Sequence, residues 1–195
     1  MQPLPGSPFF AYQNGSLCVD GLPIAKLARQ YGTPLFVYSQ NAILPTLNAY
    51  RGLAGRNARI CYAVKANSSL AILQLLAQAG CGFDTVSGGE IQRALRAGAQ
   101  PGTILFSGVG KTRAEMHMAL QAGIGCFNVE SLAELEALNV VALELGTQAP
   151  ISIRVNPDVD AQTHPYISTG LTNNKFGIAH TEAVAAYQKA ASLPG

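Results

Sequence analysis

A chain of 195 residues fits one ordinary domain or part of a larger one. With 48% apolar and 12% charged residues it excludes intrinsic disorder, and a net charge of +2 without like-charge runs argues against a nucleic-acid or membrane-surface protein. No apolar run approaches the ~20 residues of a membrane span, and the start Met1-Gln2-Pro3-Leu4 is not a signal peptide, so cytoplasm is the expected compartment.

In chain order, 9–23 reads as a hairpin turning on Asn14-Gly15 as a type I′ turn, and 24–31 as a short helix closed by Gly32. Strand-like runs follow at 34–39, 59–65, 82–87, 103–107, 125–129 and 151–156. Helical stretches at 41–54, 70–79, 89–97, 113–122, 132–145 and 181–192 alternate with them. The strands read as continuous apolar runs, as they do when both sheet faces are covered. Ser87…Glu90, Thr112…Glu115 and Ser131…Glu134 match the capping box, in which hydroxyl and carboxylate satisfy the orphan amides of a first turn. Gly80, Gly98, Gly123 and Gly146 close the helices between them. Boxes and glycines in phase point to repeated βα units and a parallel α/β sheet with right-handed crossovers. The segment 156–177 is polar and without period, a length of loop that is usually functional. Six strands do not close an eight-stranded barrel, so the chain reads as the front part of a longer protein.

The cysteines 18, 61, 81 and 126 form no C-x-x-C pair or zinc spacing, so no metal site and no disulfide framework is expected. Cys61 and Cys126, inside apolar segments, read as buried spacers. Gly108-Val109-Gly110-Lys111-Thr112 resembles the end of a phosphate loop, but Leu105 stands where that pattern needs its first glycine. A flexible βα loop with Thr112 as N-cap is sufficient.

The chemistry gathers at strand ends. Lys65 ends the run 59–65; beside apolar surface its amine could become a nucleophile toward aldehydes, or it could be a solvated terminus. Asp84 is a carboxylate in a strand made for burial and needs a partner, either a cationic group or a hydrogen-bond network. Glu90 reads as the capping-box acid. Arg154, in the run 151–156, faces an anion or aromatic plane inside a barrel, or pairs with Asp158 or a neighbouring helix.

Tyr62-Ala63-Val64-Lys65-Ala66-Asn67 and the box 82–90, Gly-Phe-Asp-Thr-Val-Ser-Gly-Gly-Glu, resemble fold-type III pyridoxal-phosphate enzymes, the alanine-racemase-like barrels. Arg154-Val155-Asn156-Pro157, His164-Pro165-Tyr166-Ile167-Ser168-Thr169-Gly170 and Lys175-Phe176-Gly177-Ile178 resemble the diaminopimelate decarboxylase branch of that family, as does the lead-in 27–38. The resemblance implies an incomplete (β/α)8 barrel over 33–195, whose first strand is 60–65, with 34–39 preceding it. It also implies an arm over 1–32 that packs with a C-terminal β domain. It makes Lys65 the catalytic residue that holds pyridoxal 5′-phosphate covalently. Asp84 and Glu90 would line the cofactor side, Arg154 would lie near the cofactor ring, and 164–170 would approach the substrate entrance. The implied reaction is decarboxylation of meso-diaminopimelate to L-lysine by a homodimer acting on a small amino acid, with no nucleic-acid or membrane partner. The alternatives are another fold-type III decarboxylase, for ornithine, arginine or carboxynorspermidine, and a non-catalytic homologue. The family's phosphate site and partner-subunit cysteine would follow residue 195, so the chain alone is expected to be inactive and poorly stable.

Overall fold

The computed structural model describes residues 4, 6–55, 57–157, 159 and 176–195. They form two compact units, Met1–Ile60 and Cys61–Gly195.

In the first unit β1 (Phe10–Gln13) and β2 (Ser16–Val19) pair antiparallel. Their turn takes positive φ at Asn14 (49°) and Gly15 (78°), as the type I′ geometry requires. Asp20 and Gly21 repeat that geometry and add a strand that the hairpin reading lacks, β3 (Leu22–Pro23), paired to β2. Helix α1 (Ile24–Tyr31) ends at Gly32, whose N–H donates to Ala28 O. Helix α2 (Gln40–Ala54) is capped by the buried Ser39, whose Oγ accepts from Ala42 N and donates to the Asp20 carboxylate. The stretch 34–39 is not a strand: it has no ladder partner among the described residues, and Phe36 is 84% exposed.

The second unit repeats strand and helix. Its elements are β4 (Cys61–Ala63), α3 (Leu70–Gln78), β5 (Gly82–Thr85), α4 (Gly88–Arg96), β6 (Ile104–Phe106), α5 (Arg113–Ala122), β7 (Cys126–Val129), α6 (Leu132–Glu144) and β8 (Ile151–Ile153). The strands lie in that order in one parallel five-stranded sheet, a partial (β/α) barrel. Gly80, Gly98, Gly123 and Gly146 all have positive φ at the helix ends.

The strands alternate rather than run apolar throughout. Phe83, Thr85, Ile104, Phe106, Phe127, Val129 and Ile153 are buried. The intervening Asp84, Leu105, Cys126, Asn128 and Ser152 are half-buried and share the other face, as the register pairs Asp84 with Leu105, Leu105 with Cys126 and Asn128 with Ser152. Cys61 and Cys126 are half-buried, whereas Cys18 and Cys81 are buried, and none of the four is in a disulfide. Burial pushes the Cys126 thiol pKa up, which keeps it protonated and unreactive.

The expected strand 151–156 breaks at Arg154. Its N–H donates to Val129 O, continuing the main ladder, and its C=O accepts from Ile178 N. The backbone thereby passes to a second, two-stranded sheet of β9 (Val155–Asn156) and β10 (Ile178–Ala179). Gly177 (φ +76°) makes this possible, because a Cβ there would stand 2.8 Å from Arg154 O. A single 3-10 turn, His180–Glu182, precedes α7 (Ala183–Ser192), so the last helix begins two residues after its expected start.

Candidate active site

Each strand of the sheet delivers a polar group at its C-terminal end. Lys65 lies in the 3-10 turn Val64–Ala66 that leaves β4. It lines a cleft of about 450 Å³ together with Asp84 of β5, Ser107 after β6, Asn128 of β7, and Ser152 and Arg154 of β8 and its end. Lys65 is exposed, and its amine has no hydrogen-bond or ion-pair partner among the described residues.

Asp84 has the network partner foreseen as one of its options. Ser107 Oγ donates to its Oδ1 at 2.5 Å and accepts from Asn128 Nδ2 at 2.8 Å. An amide nitrogen can only donate, so the serine proton is directed to Asp84, which stands as an acceptor. The alternative partner Asp158 lies outside the described residues; among those described, Arg154 meets no helix residue and pairs instead with the acid that follows β7. Its Nη1 donates to both oxygens of Glu130, at 3.2 and 3.1 Å, and its guanidinium stacks 4.8 Å from the Phe176 ring. Glu130 is buried, and its Oε1 also accepts from Gly108 N at 2.8 Å.

Glu90 stands outside the cleft lining, on the first turn of α4, as the capping reading has it. Its carboxylate reaches one residue further back than a capping box requires, to Val86 N at 2.8 Å. Glu134 likewise accepts from Glu130 N, and only Thr112 and Glu115 close a complete box. Glu115 also takes Gly88 N. Bonds from the Gly88 and Thr112 amides hold its carboxyl below the usual carboxylate range.

The phosphate-loop look-alike is pinned rather than free. Lys111 Nζ donates to Gly108 O (2.7 Å), Asn128 O (2.8 Å) and Glu134 Oε1 (2.7 Å), and its side chain is fully buried. The segment 164–170 and Lys175 lie outside the described residues. The sequence reading missed Ser107, Asn128, Glu130 and Ser152. For Asn128 with Glu130 and Ser152 with Arg154 the signal is a polar residue at alternate positions toward the strand's end; Ser107 follows Leu105 on its face and shows no such pattern.

Residues 41–195 match the family model described as pyridoxal-dependent decarboxylase, pyridoxal binding domain. The chain belongs to the pyridoxal-dependent decarboxylase family. Within that family it is 55% identical over 185 residues to a diaminopimelate decarboxylase of Pseudomonas aeruginosa, and 56% over 188 residues to that of Vibrio cholerae. The matches cover 94% and 95% of this chain but 45% of each relative, so the chain spans less than half the length of these family members. A solved structure of diaminopimelate decarboxylase from M. jannaschii in co-complex with L-lysine superposes with a TM-score of 0.87 at 38% identity, covering 97% of this chain and 46% of that one. The Helicobacter pylori enzyme complexed with L-lysine gives 0.83 at 48%, covering 88% and 44%. No helix among the described residues is long and apolar enough to cross a membrane.

Proposed function

We propose that this chain is the pyridoxal-phosphate-binding portion of a diaminopimelate decarboxylase, which converts meso-diaminopimelate to L-lysine and CO₂. The observation that carries the reading is Lys65, an exposed amine without a partner among the described residues, in a cleft where Asp84, Ser107 and Asn128 are hydrogen-bonded to one another. Identity above half to two enzymes of that name supports the substrate.

The donor set suits the cofactor: a free amine, a carboxylate fixed as an acceptor and a stacked guanidinium. When bound, pyridoxal phosphate supplies an electron sink for the pair left on the α-carbon as CO₂ departs. Lys65 would hold it through Nζ. Asp84 would present negative charge on the cleft face, oriented by Ser107. Arg154 would offer donors and a planar cation. Glu90 would act from behind, fixing the Val86 amide where Val86 lines the cleft. The division into an arm, 1–32, and a partial barrel, 33–195, assembly as a homodimer and a cytoplasmic location belong to the same proposal.

The test uses the full-length protein, assayed by CO₂ release with meso-diaminopimelate, ornithine and arginine in parallel. The expected result is turnover of meso-diaminopimelate alone. Lys65→Ala should reduce it to background and remove the absorbance band of covalently held cofactor. Full activity in Lys65→Ala would end the catalytic reading, and turnover of ornithine or arginine instead would replace the substrate. Light scattering on the same sample checks for the dimer.

A further inference from the structure

Glu130 has a place in the site that neither its strand nor the cofactor chemistry accounts for. It is 4% exposed, directly after β7 and before the cap of α6. A carboxylate that deep must be compensated, since an uncompensated buried charge is strongly unfavourable. Its compensation comes from two places that both line the cleft. One is the backbone N–H of Gly108 in the loop after β6. The other is Nη1 of Arg154 at the break after β8.

Arg154 is 40% exposed in its side chain, so the pair joins a buried anion to an accessible cation. Phe176 stacks on the guanidinium, and the Glu130 carboxylate takes one of its nitrogens. A guanidinium carries donors on three nitrogens, and Nε and Nη2 have no acceptor among the described residues. Among the described residues the cation is thus held at one nitrogen and one face, which leaves Nε and Nη2 for a ligand.

We propose that Glu130 is a positioning residue of the cofactor cleft. It fixes the orientation of the Arg154 guanidinium and, through the same carboxylate, the Gly108 backbone beside it. The inference rests on the cofactor reading above and deepens it, because it assigns the aim of Arg154 to a residue that does not line the cleft.

The test is a pyridoxal phosphate titration of the full-length apoprotein, read by absorbance, for the parent, Glu130→Gln, Arg154→Met and the double variant. Glutamine keeps an oxygen for Gly108 N but loses the charge that holds Arg154. The expected result is about tenfold weaker binding in Glu130→Gln, with the double variant no weaker than Arg154→Met alone, as coupled residues behave. Glu130→Asp, which keeps the charge, should recover part of the loss. A purely structural role would give losses in the two single variants that multiply in the double. That outcome, or parental binding by Glu130→Gln, overturns the inference while leaving the cofactor reading intact. A Glu130→Gln protein that fails to fold while Glu130→Asp binds as Arg154→Met does would overturn it too. Absence of binding by the parent would remove the cofactor reading and this inference together.

Discussion

Lys65 and Lys111 both lie in segments that leave a parallel strand at its C-terminal end, and their amines have opposite surroundings. Lys111 is fully buried with two carbonyls and the Glu134 carboxylate on its nitrogen, and it lies 5.6 Å from the Phe106 ring centroid. Lys65 is exposed in the cleft and meets none of these. An ammonium with its donors satisfied and its charge paired is a structural bolt, with no lone pair to offer an electrophile. An amine without a partner among the described residues contributes little to folding and remains available for bonding to carbon. The same residue type at similar places in the barrel thus serves stability in one case and chemistry in the other.

Removing both amines breaks the comparison open most widely. Lys111→Met should destabilise the protein by about 3–5 kcal/mol, since it leaves Glu134 as an unpaired, nearly buried charge. Lys65→Met should change stability by no more than about 0.5 kcal/mol, as exposed substitutions do. Urea unfolding of the two variants measures this, and equal losses would erase the distinction. Next in size is Gly108→Ala. Gly108 supplies one of the Lys111 acceptors from a backbone at φ +99°, which costs a residue with a Cβ about 1–3 kcal/mol. Thr112→Ala removes the cap of the helix that follows Lys111 and should cost about 1 kcal/mol.

The smallest effect is a pH dependence. The carboxyl of Glu115 is lowered from its ordinary value of 4.5 by the Gly88 and Thr112 amides. A group depressed in the fold stabilises above its unfolded pKa and loses that contribution as pH falls through the folded one. Glu115→Gln should therefore be less stable than the parent at neutral pH, and the gap should close as pH drops below about 4.5. A gap of constant size from neutral to acid would show that the charge is irrelevant.

The βα rhythm was legible because its signals are local. A hydroxyl at an N-cap, an acid three residues on and a glycine at the exit each act within one turn of chain, and the ends of α5 coincide with the expected 113–122. Lys65, Asp84 and Arg154 were legible because charge in an apolar strand needs an explanation, and the structure brings all three to one cleft. Their partners were not, since Glu130 meets Arg154 from another strand and Ser107 meets Asp84 across a ladder. Such pairs depend on register, which a single sequence does not display. The break at Arg154 was hidden for the same reason, because its cause is the approach of Gly177 from far along the chain. The second turn at Asp20-Gly21 was visible in the residues, but a strand of two residues gives no alternation to read.

Two acids also hold a backbone amide of the βα unit before their own. Glu115 takes the Gly88 amide, and Glu130 takes the Gly108 amide. Neither Gly88 nor Gly108 donates its N–H into a ladder or a helical bond, so both belong by position to the fastest-exchanging class of amide protons. Tied to carboxylates of the next βα unit, they should exchange with solvent only when two neighbouring units part, and their deuterium uptake should follow the unfolding of the sheet.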